Sequence, residues 1–142
     1  MDAVVKDLFV WAIWANLDKQ SNHELILLKG HLYLEKTIES AISLNQKNLS
    51  KFSFFRKVQI FESELYQPEK DDNLIECLIE LNSLRNQMAH EYNFDIMDGR
   101  LSIWSQKVLS NFKGEKYSRY TYRTKIVHAF STLAVNILRS VK

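Results

Sequence analysis

Helix breakers are almost missing from this chain: Pro68 is its one proline, and Gly30, Gly99 and Gly114 are its three glycines. Sheets need many turns, and turns draw on those two residue types, so sparse breakers beside apolar residues recurring every three or four positions point to helices. A first helix is expected over 2–17. A second opens at Ser21, where Ser21 to Glu24 reads SNHE, a capping box in which hydroxyl and carboxylate each satisfy a free backbone N–H, and it runs to about Leu44. Asn45 to Asn48 make a polar connection. Phe54, Val58, Phe61 and Leu65 stripe a third helix, which Pro68 forbids from continuing. A fourth starts at Asp71–Asp72 and carries Leu74, Leu78, Leu81, Met88 and Tyr92 on one face. From Asn93 to Ser118 the pattern weakens, and a short helix or an irregular strand over Leu101–Leu109 both fit. The last helix begins near Ser118–Thr121 and shows Ile126, Phe130, Leu133, Ile137 and Val141 on one side. The expected fold is all-α, an antiparallel bundle of four or five helices. With 142 residues, 46% of them hydrophobic, 1–142 suits a single domain.

Several function classes drop out. The apolar start VVKDLFVWAIWANLD is broken by Lys6, Asp7 and Asp18 well short of a membrane span, and no cleavage site comes after it, so it reads as a core helix. Cys77 has no second cysteine to pair with, which suits a cytoplasmic setting, and His23, His31, His90 and His128 lack metal-ligand spacing. No metal or cofactor is expected, since there is also no glycine-rich phosphate loop. Charge is uneven along the chain. Residues 1–98 hold 10 Lys+Arg and 16 Asp+Glu, net −6, while 99–142 hold 9 and 1, net +8. A domain polarised in this way can dock an oppositely charged partner or gather a polyanion at its basic end.

Two residues break the helical pattern. In LNSLRNQMAHEY, residues 81–92, Arg85 falls in the middle of the apolar face beside Leu78, Leu81 and Met88. On the second helix Glu35 lies among Leu28, Leu32, Ile38 and Ile42. An unpaired charge in a core costs several kcal/mol, so a Glu35–Arg85 bond across the bundle is one expectation, and outward snorkelling, or a Glu35 pair with Lys36 or Lys29, the other. Asn86 and His90 are four apart and share a face, where an amide can orient an imidazole that exchanges protons near neutrality. Arg85 and His90 themselves stand about 140° apart on an ideal wheel, so one helix alone aims them in different directions, which two facing copies could repair.

The run Arg85-Asn86-Gln87-Met88-Ala89-His90 resembles the R-x4-6-H motif of the HEPN superfamily, here in the form R-N-x3-H-x-Y, and GHLYLEKTIESAI (Gly30 to Ile42) has a similar look. The likeness covers residues 25–95 and is to members from prokaryotic toxin and defence systems. It implies a homodimer whose paired motif helices form a metal-independent ribonuclease cleft, with Arg85 on the scissile phosphate, His90 as general base or acid and Asn86 orienting one of them. The nucleophile would be the RNA 2′-OH, leaving a 2′,3′-cyclic phosphate. It further implies a toxin or abortive-infection effector, with a nucleotidyltransferase as possible antitoxin and Tyr92 as the residue that enzyme would modify. Tyr92 also continues its helix's apolar face, and packing is its expected role.

KGEKYSRYTYRTK, residues 113–125, interleaves Lys116, Arg119, Arg123 and Lys125 with three tyrosines. Cations neutralise phosphates and tyrosines stack on unpaired bases, so RNA is one candidate partner, and the acidic portion of a second protomer is another. Two further readings keep the fold without the chemistry: a regulatory or adaptor domain that binds a nucleotide or protein, and a helical interaction protein.

Overall fold

The computed structural model describes residues 12–13, 15–17, 22–42, 49–67, 73–96, 98–112 and 122–140. Five α-helices run through them: α1 (His23–Ile42), α2 (Phe54–Glu64), α3 (Leu74–His90), α4 (Arg100–Asn111) and α5 (Tyr122–Arg139), with a 3-10 turn at Leu49–Lys51 leading into α2. Residues 12–13 and 15–17 are also helical, and Ile13 and Leu17 are buried. No strand occurs among the described residues, and the protein is an all-α helical bundle. Ser21, Leu44, Pro68, Asp71, Asp72, Gly114, Ser118, Thr121 and Val141, where several expected boundaries fall, lie outside the described residues. Among the described residues no helix is long and apolar enough to cross a membrane.

Three local features refine the expected helix limits. The Asn22 side chain accepts from the Leu25 backbone N–H at 3.2 Å, so the described cap of α1 is Asn22. Helix α3 stops at His90, two residues short of Tyr92, because Glu91 turns extended (φ −94°, ψ 120°). The ambiguous stretch near 101–109 is α4: Leu101, Trp104, Ser105 and Val108 are buried at three- and four-residue spacing, a helical period that a strand would not produce. Gly99, at φ 102°, supplies the left-handed residue from which α4 starts.

The core is one contiguous cluster fed by all five helices. Helix α1 packs on α2, α3 and α5, and α4 packs between α3 and α5. The expected α5 face is observed, with Ile126, Phe130, Leu133 and Ile137 fully buried. Trp104 ties three helices: its indole N–H donates to the Cys77 carbonyl at 2.9 Å, and its ring lies 5.1 Å from that of Phe130. Lys107 on α4 reaches back to Glu76, at 2.8 Å, and to Glu80 on α3.

At Gly30 the Phe130 ring of α5 lies directly against the backbone of α1. A Cβ there would stand 2.5 Å from the Phe130 ring, and Phe130, packed on Trp104 and fully buried, has no space to retreat. Gly30→Ala should therefore destabilise the fold by about 1–3 kcal/mol through overpacking, outweighing alanine's better helix propensity of about 1 kcal/mol. Urea denaturation checks this; an unchanged or raised midpoint would show that the two helices can separate at no cost.

Candidate functional site

Helices α1 and α3 and the start of α2 enclose a cavity of about 450 Å³. Its polar centre is a cross-helix bond: His31 Nε2 on α1 lies 3.0 Å from Asn82 Oδ1 on α3. The imidazole is buried and stacked on Phe54, ring centroids 4.1 Å apart. Burial pushes the His31 pKa below its ordinary 6.5; the nearby Arg85 adds to that, while the bond to Asn82 and the charge of Glu35 oppose it. His31 is thus neutral at pH 7, and with the amide oxygen as acceptor its Nε2 carries the proton.

Glu35 lines this cavity but does not bind Arg85, which corrects one of the two expectations drawn from the sequence. Its partner is Lys57 on α2, a lysine only 3% exposed, whose ammonium lies 3.3 Å from Glu35 and 2.6 Å from Glu39. Lys36, on the outer side, pairs with Glu39 at 3.3 Å and not with Glu35. Desolvation works against the charge on Lys57, but the hydrogen bond from Lys57 to Glu39 and the charges of both carboxylates outweigh it and hold the pKa above its usual value. A buried ammonium satisfied by two acids is more strongly bound than a guanidinium that can reach the surface, so Lys57 takes the carboxylates.

Arg85 is left half-buried at the cavity wall. Its hydrogen bond among the described residues is a long one, 3.4 Å, to the amide oxygen of its neighbour Asn86, which also lines the cavity. Asn86 is exposed and so is His90, and no hydrogen bond joins them. His90 is the last residue of α3 and does not line the cavity that Arg85 lines. Tyr92 is fully exposed, which overturns its expected packing role: once α3 ends at His90, the helical period no longer carries Tyr92 to the core. Lys116 and Arg119 lie outside the described residues, as does the side chain of Arg123; Lys125 is half-buried in α5.

Reading the sequence missed three contributors. Asn82, one turn before Arg85, pins His31. Lys57 sits on the Phe54–Val58–Phe61 stripe, the same kind of misplaced charge that singled out Arg85 and Glu35, and was legible by the same test. Arg100 anchors the segment after His90: it bonds Asp98 at 2.6 Å and Gln87 at 2.9 Å, lies 3.8 Å from Glu91 and covers the Phe94 ring at 4.5 Å. No sequence period announces it, since its partners come from the end of α3 and the turn that follows.

Cys77 is no candidate nucleophile, because burial pushes its thiol up to about 11. Among the described residues no group of three or more His, Cys, Asp and Glu side chains is placed to hold a metal.

The lowered pKa of His31 has a signed consequence. Above about pH 6.5 the ring is neutral in folded and unfolded chains alike, and its contribution is fully present; below it the unfolded chain takes the proton first, so stability falls until the lowered native pKa is passed. His31→Gln should remove that part of the acid slope between about pH 7 and about pH 5, as read by urea denaturation at the two values. An unaltered slope would assign it to other groups.

No protein-family model, curated protein or solved structure matches the chain.

Proposed function

We propose that the protein is a metal-independent endoribonuclease of HEPN type that works as a homodimer, in the role of a toxin or antiphage effector. The observation that carries the reading is Arg85: a half-buried guanidinium with no carboxylate partner among the described residues, opening on a cavity five residues before an exposed histidine at a helix end. A cation that no described carboxylate holds is available to a phosphate. The resemblance of RNQMAHEY to the HEPN motif supplies the reaction type.

Arg85 lines the cavity and His90 does not, which supports a site shared between two copies. Around the cavity mouth, Leu28, Leu32 and Phe55 are 41%, 48% and 43% exposed, an uncovered apolar rim beside Arg85. Packing two such rims together removes apolar surface from water and sets the two motif helices side by side, so that each copy's arginine meets the other's histidine. In that cleft an imidazole takes the 2′-OH proton as the oxygen attacks phosphorus. The new P–O2′ bond forms, the P–O5′ bond breaks, and a second imidazole protonates the departing 5′ oxygen. Arg85 balances charge on the phosphoryl oxygens, and Asn86 steadies its guanidinium. A placed histidine contributes about 10²–10⁴ in rate and a charge-stabilising donor about 10²–10³. Tyr92, exposed two residues beyond His90, is open to modification by a nucleotidyltransferase partner. A non-catalytic binding domain is the second reading, favoured by the cavity's lying apart from His90.

His90→Ala should abolish RNA cleavage in EDTA with no loss of stability, since the side chain is exposed and makes no bond among the described residues. An RNA carrying one 2′-deoxy residue at the cut site should resist the wild-type protein. Cutting at the deoxy position, or cutting by His90→Ala, would remove the proposed chemistry. Leu32→Glu should convert dimer to monomer in sedimentation and abolish cleavage together, with helicity unchanged. A wild-type protein that sediments only as a monomer at micromolar concentration would overturn the composite site.

A further inference from the structure

The cavity itself holds two charges that the described residues leave incompletely answered. Lys57 is shared between two carboxylates and lies closer to Glu39 than to Glu35, 2.6 Å against 3.3 Å, so Glu35 retains acceptor capacity where it lines the cavity. Arg85, on the facing helix, retains donors. The polar pair at the centre, His31 bonded to Asn82, forms a floor with the Phe54 ring, which lies tilted against the imidazole. Phe55 and Leu32 add apolar wall at the mouth. A volume of about 450 Å³ falls within the ~300–1,000 Å³ of small-molecule sites.

A ligand fitting this lining is a flat ring, apolar on its faces, with N–H donors along one edge and an anionic group beyond. We propose that the cavity between α1 and α3 is a subsite for a guanine nucleotide unit, with the base edge on Glu35, the ring beside Phe55 and the phosphate on Arg85. A carboxylate offers acceptors only. Guanine is the one common RNA base whose pairing edge sets two N–H donors, N1 and the exocyclic N2, side by side to meet both oxygens. Adenine and cytosine put an amino donor beside a ring acceptor, and uracil flanks one N–H with two carbonyl oxygens that a carboxylate repels. As a statement about RNA, the inference rests on the ribonuclease reading and names the residue at which the enzyme would cut; as a statement about the cavity it is tested separately.

The test uses the full-length His90→Ala protein, titrated with 5′-GMP, 5′-AMP, 5′-CMP and 5′-UMP while the His31 imidazole resonances are followed by NMR. GMP should move the His31 signals and bind at least about tenfold more tightly than AMP. Glu35→Gln in the same background should erase that preference, and Arg85→Gln should weaken all four nucleotides alike. Should Glu35→Gln fail to fold because Lys57 loses part of its counter-charge, Glu35→Asp replaces it: the carboxylate stays but is withdrawn from the base edge, and the preference for GMP over AMP should shrink. His31 signals unmoved by any nucleotide, or four equal affinities, would overturn the subsite. Mapping the RNA ends made by wild-type protein then separates the sources of the base. Cuts confined to guanine positions assign the subsite to RNA, and GMP binding by a protein that cuts no RNA assigns it to a free guanine nucleotide and rejects the ribonuclease reading alone. RNA cleavage without any effect of GMP rejects the subsite and leaves the ribonuclease reading standing.

Discussion

Lys57 is a buried ammonium, and its demand for counter-charge organises the face of the molecule that carries the cavity. A lysine among Phe54, Val58 and Phe61 cannot stay charged without acids beside it, and α1 supplies two, one turn apart, at Glu35 and Glu39. That triad joins α1 to α2 where the cavity lies. It also takes Glu35 from Arg85. Because the chain commits both nearby carboxylates to Lys57, the guanidinium across the cavity keeps its donors, and the protein presents a half-buried cation to whatever enters.

The opposite side of α1 is governed by contact distance, not charge. Gly30 admits the Phe130 ring at a separation no side chain allows, which draws α5 onto α1. His31, the next residue, is held by Asn82 of α3 and the ring of Phe54. Helix α1 is consequently clamped by α5 through Gly30, by α3 through His31 and by α2 through Glu35 and Glu39. A cavity whose walls are gripped in this manner is pre-organised, because the side chains that line it already serve as fold contacts.

The reactive candidates differ in how firmly they are held. Arg85 sits within α3 beside fully buried Leu81 and Leu78. His90 ends that helix and is exposed, so its position depends on the adjoining turn, where Glu91 is extended and Arg100 gathers Asp98, Gln87, Glu91 and Phe94. The backbone that carries Arg85 is thus set by the core of the bundle, and that of His90 by a surface turn.

The sequence by itself determined the all-α class and most of the helix faces, since a 3.6-residue period with almost no glycine or proline has one regular solution, and the α5 stripe from Ile126 to Ile137 was readable residue by residue. It also singled out Arg85 and Glu35 as charges out of place, because burying a charge is costly whatever the fold. What it left undecided was who answers each charge. Pairing is a matter of distance in space, and Lys57, 18 residues beyond Glu39 and on another helix, reaches the acids first through the α1–α2 packing. Tyr92 shows the same limit at the end of an element: periodicity carries it to the core only if the helix continues, and the backbone turns at Glu91 instead. Local period is written in the order of residues, whereas the partners, the cavity between helices and the exposure of Tyr92 arise only when the helices meet.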